Sequence, residues 1–83
     1  MRRAPNVIFK QVGDELVLLD FDGAIYYGLD EVGARIWQLL GETESVGEIV
    51  ERLGEEYDVT REMLRADVDR LLGELAARGL VRP

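Results

Sequence analysis

Hydrophobic residues alternate with polar ones through the first third of the chain and recur every three or four positions through the rest. The pattern predicts strands first and helices after. "NVIFKQV" and "ELVLLDF" flank Gly13-Asp14, and "LLDF" and "AIYYGL" flank Asp22-Gly23. Both dipeptides tolerate the positive φ of a tight hairpin turn, so two turns predict a three-stranded antiparallel meander. Counting outward from a two-residue loop at Asp22-Gly23 pairs Phe21 with Ala24, Leu19 with Tyr26, and Leu18 with Tyr27. One face then carries Leu16, Leu18, Ile25, Tyr27 and Leu29. The other carries Val17, Leu19, Phe21, Ala24 and Tyr26, joined by Ile8, Lys10 and Val12 if Gly13-Asp14 is also a two-residue turn. Helices can cover one of these faces, which leaves the second to be wrapped by the N-terminal arm or offered to a partner or a second copy.

Three helices follow, each with its own start signal. Asp30 is placed to cap "EVGARIWQLL", whose apolar stripe is Val32, Ile36, Leu39 and Leu40, and Gly41 is expected to end it in the left-handed conformation. Ser45 and Glu48 have capping-box spacing ahead of Ile49, Val50, Leu53 and Tyr57. Thr60 can cap a long third helix with Leu64, Val68, Leu71, Leu72 and Leu75 on its inner face, and Gly79 followed by Leu80 fits a Schellman ending. Gly33 lies inside the first helix, where glycine costs about 1 kcal/mol relative to alanine. Close packing or local looseness would account for it, and the flank it shares with Trp37 favours close approach of another chain segment to that ring. The fold class is α+β, a three-stranded β-meander followed by three helices in a winged-helix-like order, as one domain over residues 1–83.

Composition narrows the chemistry more than it names a function. The 83 residues include no Cys and no His, which removes the commonest transition-metal ligands, thiol nucleophiles and imidazole bases. No catalytic residue, metal site or cofactor is predicted. Paired acids such as Glu55-Glu56, or Asp67 with Asp69, diverge on a helix rather than converge on a substrate. No stretch approaches the roughly 20 apolar residues of a membrane helix and "MRRAPNV" lacks a signal-peptide core, so a soluble cytoplasmic protein without membrane contact is expected. A net charge of −7 opposes phosphate backbones, and nucleic acid is not an expected partner.

The third strand of the meander is an edge. "AIYYGL" contains no charge and no proline, the usual defences against a further strand. Either a helix or loop covers this edge, or a peptide joins the sheet there by β-augmentation.

"YGLDEVGARIWQLL", then "SVGEIVERLGEEYDV", then "LRADVDRLLGELAARGLV" resembles the PqqD-like proteins, the precursor-peptide recognition elements of ribosomal peptide natural-product pathways. That family's strand ends in an aromatic, a variable residue and Leu-Asn, ahead of a helix with Gly and Ile-Trp. Tyr27, Gly28, Leu29, Asp30, Gly33, Ile36 and Trp37 take those places, with Asp30 for the usual Asn; both residues cap helices. The resemblance implies a non-catalytic domain that binds the leader of a precursor peptide as an added strand beside the third helix. Its expected contacts are Ala24, Ile25, Tyr26, Tyr27, Gly28 and Leu29 on the strand and Leu64, Asp67, Val68, Arg70 and Leu71 on the helix. Residues Met63, Asp67, Arg70 and Glu74 form the helix row flanking the buried stripe. The free-standing size and the Gly-x-x-Ile-Trp form are most like the separate leader-binding subunits of lasso-peptide pathways. That likeness implies three partners: the leader, a separate leader-cleaving cysteine protease and, as a further candidate, the ring-closing ATP-dependent synthetase.

Two other readings compete. A winged-helix DNA-binding regulator would use the third helix for recognition, but there Arg61, Arg65, Arg70 and Arg78 are balanced by Glu62, Asp67, Asp69 and Glu74. A self-associating docking module would pair the open edge with its own copy and show a concentration-dependent mass.

Overall fold

The computed structural model describes residues 1–21 and 25–83. Its elements are β1 (Arg2–Arg3), β2 (Val7–Val12), β3 (Glu15–Asp20), β4 (Tyr26–Leu29), α1 (Glu31–Leu40), α2 (Val46–Glu56), α3 (Arg61–Ala77) and β5 (Val81–Arg82). Strands β2, β3 and β4 form the expected antiparallel meander, and β1 pairs with β5 in a separate two-stranded sheet. The register agrees with the counting argument: Leu18 faces Tyr27, Leu19 faces Tyr26, and Val12 faces Glu15 around the Gly13 turn. Gly13 has φ +60°, a conformation that favours glycine. The Asp22-Gly23 turn and Ala24 lie outside the described residues.

One face of the meander is core. Leu16, Leu18 and Leu29 are buried against Ile36, Trp37 and Leu39 of α1, Ile49 and Leu53 of α2, and Val68 and Leu75 of α3. Each such side chain contributes about 1.5–3 kcal/mol by leaving water. The opposite face stays open, with Ile8, Val12, Leu19 and Tyr26 exposed. The N-terminal arm does not wrap it. The arm runs instead beside the C-terminal strand, where Arg2 and Arg3 pair with Arg82 and Val81 and the Ala4 N–H donates to Leu80.

Arg3 explains that route. Its guanidinium donates to the Trp37 carbonyl through Nε at 3.0 Å and through Nη2. It also lies 4.9 Å from the ring centres of both Trp37 and Phe9. Burial lowers its pKa from the ordinary arginine value, yet a guanidinium remains charged at neutral pH, so the contact is a cation held over two aromatic faces. Gly41 makes room for it, because a Cβ there would sit 2.8 Å from the Arg3 Cζ. This corrects the expectation of a left-handed Gly41: its φ is −75°, and the missing side chain serves packing rather than backbone conformation.

The caps follow the sequence with one rearrangement. Asp30, Ser45 and Thr60 accept from the amides of Gly33, Glu48 and Met63. Glu48 does not return the bond to Ser45 as a capping box would. Its carboxylate accepts from the Thr43 hydroxyl, and that hydroxyl oxygen accepts the Ser45 N–H. The end of α3 is the expected Schellman motif, with Leu80 N–H on the Leu75 carbonyl, Gly79 N–H on Ala76, and both leucines fully buried.

Two glycines, one inside α3 and one just past its end, therefore differ in the sign of their replacement. Gly79 has φ +72°, so Gly79→Ala is expected to destabilise by about 1–2 kcal/mol. Gly73 is interior to the helix with open space around a Cβ, and Gly73→Ala is expected to stabilise by about 1 kcal/mol. Urea unfolding of the two variants checks both signs.

Candidate functional site

Hydrogen bonding alternates along an antiparallel pair, and the alternation here is set by two bonds next to the ladder. Asp20 N–H donates to the Ile25 carbonyl, and Phe21 N–H donates to Asn6. Even-numbered residues of β3 therefore bond toward β4 and odd-numbered ones toward β2. In the recorded register Leu18 and Leu16 engage Tyr27 and Leu29. The N–H and C=O groups of Tyr26 and Gly28 are left pointing away from the sheet. With order β2-β3-β4, that side of β4 carries no strand among the described residues.

The edge opens onto a cleft of about 380 Å³ between the end of β4, the start of α1 and the middle of α3. Its lining includes Tyr27, Gly28 and Leu29 of β4 with Asp67, Arg70 and Leu71 of α3. The apolar part comes from Leu29, Val32, Ile36 and Leu71, and the rim is polar. Gly33 permits the corner: a Cβ there would lie 3.2 Å from both Leu29 Cδ2 and Asp30 Oδ1. The close approach expected at Gly33 is thus made by the strand end and the capping carboxylate. The Trp37 ring is approached from elsewhere, by Arg3 and by the edge of Phe9 at 5.9 Å.

A polar clasp ties β4 to α3. The Tyr27 hydroxyl donates to the Glu74 carboxylate, Arg70 lies 3.2 Å from the same carboxylate, and the Arg78 guanidinium covers the Tyr27 ring at 4.9 Å. The hydrogen bond to Glu74, then partial burial, raises the Tyr27 pKa above the ordinary phenol value. The same bond, followed by the charges of Arg70 and Arg78, holds Glu74 below the ordinary carboxylate range. The clasp fixes the separation of strand and helix without filling the space between them.

Six of the sequence-predicted contacts therefore share the cleft: Tyr27, Gly28, Leu29, Asp67, Arg70 and Leu71. Ile25 is half-buried just before β4, and Tyr26 projects from the exposed face while its backbone faces the edge. Leu64 and Val68 do not line the cleft. They point into the core at 3% and 0% exposure, because α3 packs against α2 and β5 and its inner stripe joins the shared core. Ala24 lies outside the described residues. Sequence reasoning did not include Glu15, Asp30, Val32, Gly33 and Ile36 among the contacts, although all five line the cleft. Register alone carried a signal for Glu15, since the strand count puts it beside Gly28 and Asp30.

The family profile described as coenzyme PQQ synthesis protein D (PqqD) matches residues 15–81. The chain belongs to the PqqD family. Among solved structures, this PqqD-family chain is similar to TbiB1 in complex with the TbiA(beta) leader peptide, with 39% identity and a TM-score of 0.88. That match covers 96% of this chain and 93% of the other. It is also similar to lasso peptide synthetase B1 complexed with the leader peptide, with 29% identity and a TM-score of 0.88 over 99% and 96% of the two chains. No curated protein matches the sequence. Among the described residues no helix is long and apolar enough to cross a membrane.

The clasp has a pH signature. Glu74 is depressed in the folded protein, so its pairing adds stability above the unfolded Glu value of about 4.3 and loses it as pH falls through the lower folded value. Tyr27→Phe removes the phenol donor. The urea midpoint of wild type should exceed that of Tyr27→Phe at neutral pH, and the two should converge below about pH 4.

Proposed function

We propose that this domain is a non-catalytic peptide-binding protein acting as one unit over residues 1–83. It captures the leader of a ribosomally made precursor, that of a lasso peptide being the best fit, by β-strand addition to the outer edge of β4. The guest strand lies between that edge and α3. Ile25 to Leu29 form the strand side of the site, continued by Ala24, and Asp67, Arg70 and Leu71 form the helix side. Leu64 and Val68 support the wall from behind.

The observation that carries this reading is the outward row of backbone groups at Tyr26 and Gly28, unpaired and facing a cleft with an apolar base. A disordered leader loses entropy when it becomes a strand, so such an edge must combine main-chain bonds with a few buried side chains. Alternate residues of the guest can drop into the cleft while its backbone bonds to β4. The two similar solved structures, both described as holding leader peptides, support the same reading. The bound leader is then presented to processing enzymes: a separate leader-cleaving cysteine protease and, beyond it, a ring-closing ATP-dependent synthetase.

Proline separates the edge from the ladder. Gly28 directs its N–H outward, so Gly28→Pro removes a donor for the guest without removing a bond of the sheet. With fluorescein-labelled TbiA(beta) leader as the first probe, followed by leaders of precursors encoded beside the gene, anisotropy should show affinity falling at least tenfold in Gly28→Pro. The circular dichroism spectrum should be unchanged. Undiminished binding by a folded Gly28→Pro protein contradicts strand addition at this edge.

A further inference from the structure

The outer side of the β4 edge carries a feature that the cleft itself does not explain. Gly28 faces Val17 across the ladder and lies on the exposed side of the sheet. The Glu15 side chain reaches over it: a Cβ on Gly28 would lie 3.0 Å from Glu15 Oε2 and 3.4 Å from its Cδ. The carboxylate therefore rests above bare backbone. Any larger residue at position 28 would stand between it and the edge.

Glu15 has no ion-pair or hydrogen-bond partner among the described residues. Arg35, Arg52, Arg61, Arg65 and Arg70 are engaged by other acids. Arg3 is held at Trp37, and Arg78 lies over Tyr27. Asp30 and Asp67 line the same cleft, while Arg70, the one cation among its described lining residues, is paired with Glu74. Lys10 shares the exposed face but stands on β2 opposite Val17, on the far side of β3 from the edge. At the edge itself Glu15, Asp30 and Asp67 make the charge presented to an incoming strand negative.

A guest strand lies about 4.8 Å beyond β4, and its side chains alternate in phase with those of β4. The guest residue paired with Gly28 consequently projects on the outer face, beside the Glu15 carboxylate. An acidic side chain there would be repelled, and an apolar one would strip water from the carboxylate without replacing its hydrogen bonds. A long cationic side chain can cross the side-chain-free strip and pair. We propose that the leader carries a lysine or arginine at the position paired with Gly28, and that Glu15 reads it. This inference rests on the strand-addition reading above and adds a specificity-determining residue to it.

The test is selection of random short peptides displayed on phage against the folded protein, keeping those whose binding is lost with Gly28→Pro. Wild type should enrich Lys or Arg at one position flanked by apolar residues, and Glu15→Lys should enrich Asp or Glu at that position. Replacing the selected basic residue with Gln should weaken binding to wild type about three- to fivefold at low salt, with little change on Glu15→Gln. Binders that are sensitive to Gly28→Pro but show no basic preference overturn this inference and leave strand addition standing. Binders insensitive to Gly28→Pro, or a selection that yields none, overturn both.

Discussion

The alternation of hydrogen bonds across β3 and β4 is the constraint on which the site depends. Because Tyr27 and Leu29 spend their backbone groups on β3, Tyr26 and Gly28 must point theirs outward. Shifting β4 by one residue against β3 would exchange these roles and also turn Tyr27 and Leu29 away from the core. The buried face and the open edge are therefore specified together. The leucines that fill the core hold the edge in place.

Open edges are hazards, and this one is limited in an uncommon way. It has no lysine or proline, but β4 is only four residues long and its rim carries Glu15, Asp30 and Asp67 on a chain of net charge −7. Two copies meeting edge to edge would bring these acids together, whereas a peptide with a basic side chain would not meet that repulsion. The Tyr27 and Glu74 clasp serves the same end mechanically, by fixing α3 at a distance that leaves a slot rather than a closed seam.

Much of this was legible before any coordinates, because it depends on local chemistry. The Gly13 turn set one hairpin register, three polar residues marked the helix starts, and Gly79 with Leu80 encoded the end of α3. Features built from distant residues were not legible. Arg3 reaching Trp37, with Gly41 making room for its guanidinium, joins positions whose proximity no periodicity announces. The Thr43 relay at the start of α2 displaced a capping box because a third hydroxyl stood within reach. On α3 the helical period separated the core stripe from its flank, but it could not say that Leu71 borders the cleft while Leu64 and Val68 face away from it.

The central claim is that a guest strand engages the outward groups of β4, and residue-resolved amide hydrogen exchange measures it most directly. In the free protein the amides of Tyr27 and Leu29 should exchange slowly and those of Tyr26 and Gly28 quickly. Saturating leader peptide should slow Tyr26 and Gly28 by orders of magnitude and leave the alternation at Tyr27 and Leu29 unchanged. If a bound leader protects other amides while Tyr26 and Gly28 keep exchanging as they do in the free protein, the β4 edge is not where the peptide binds.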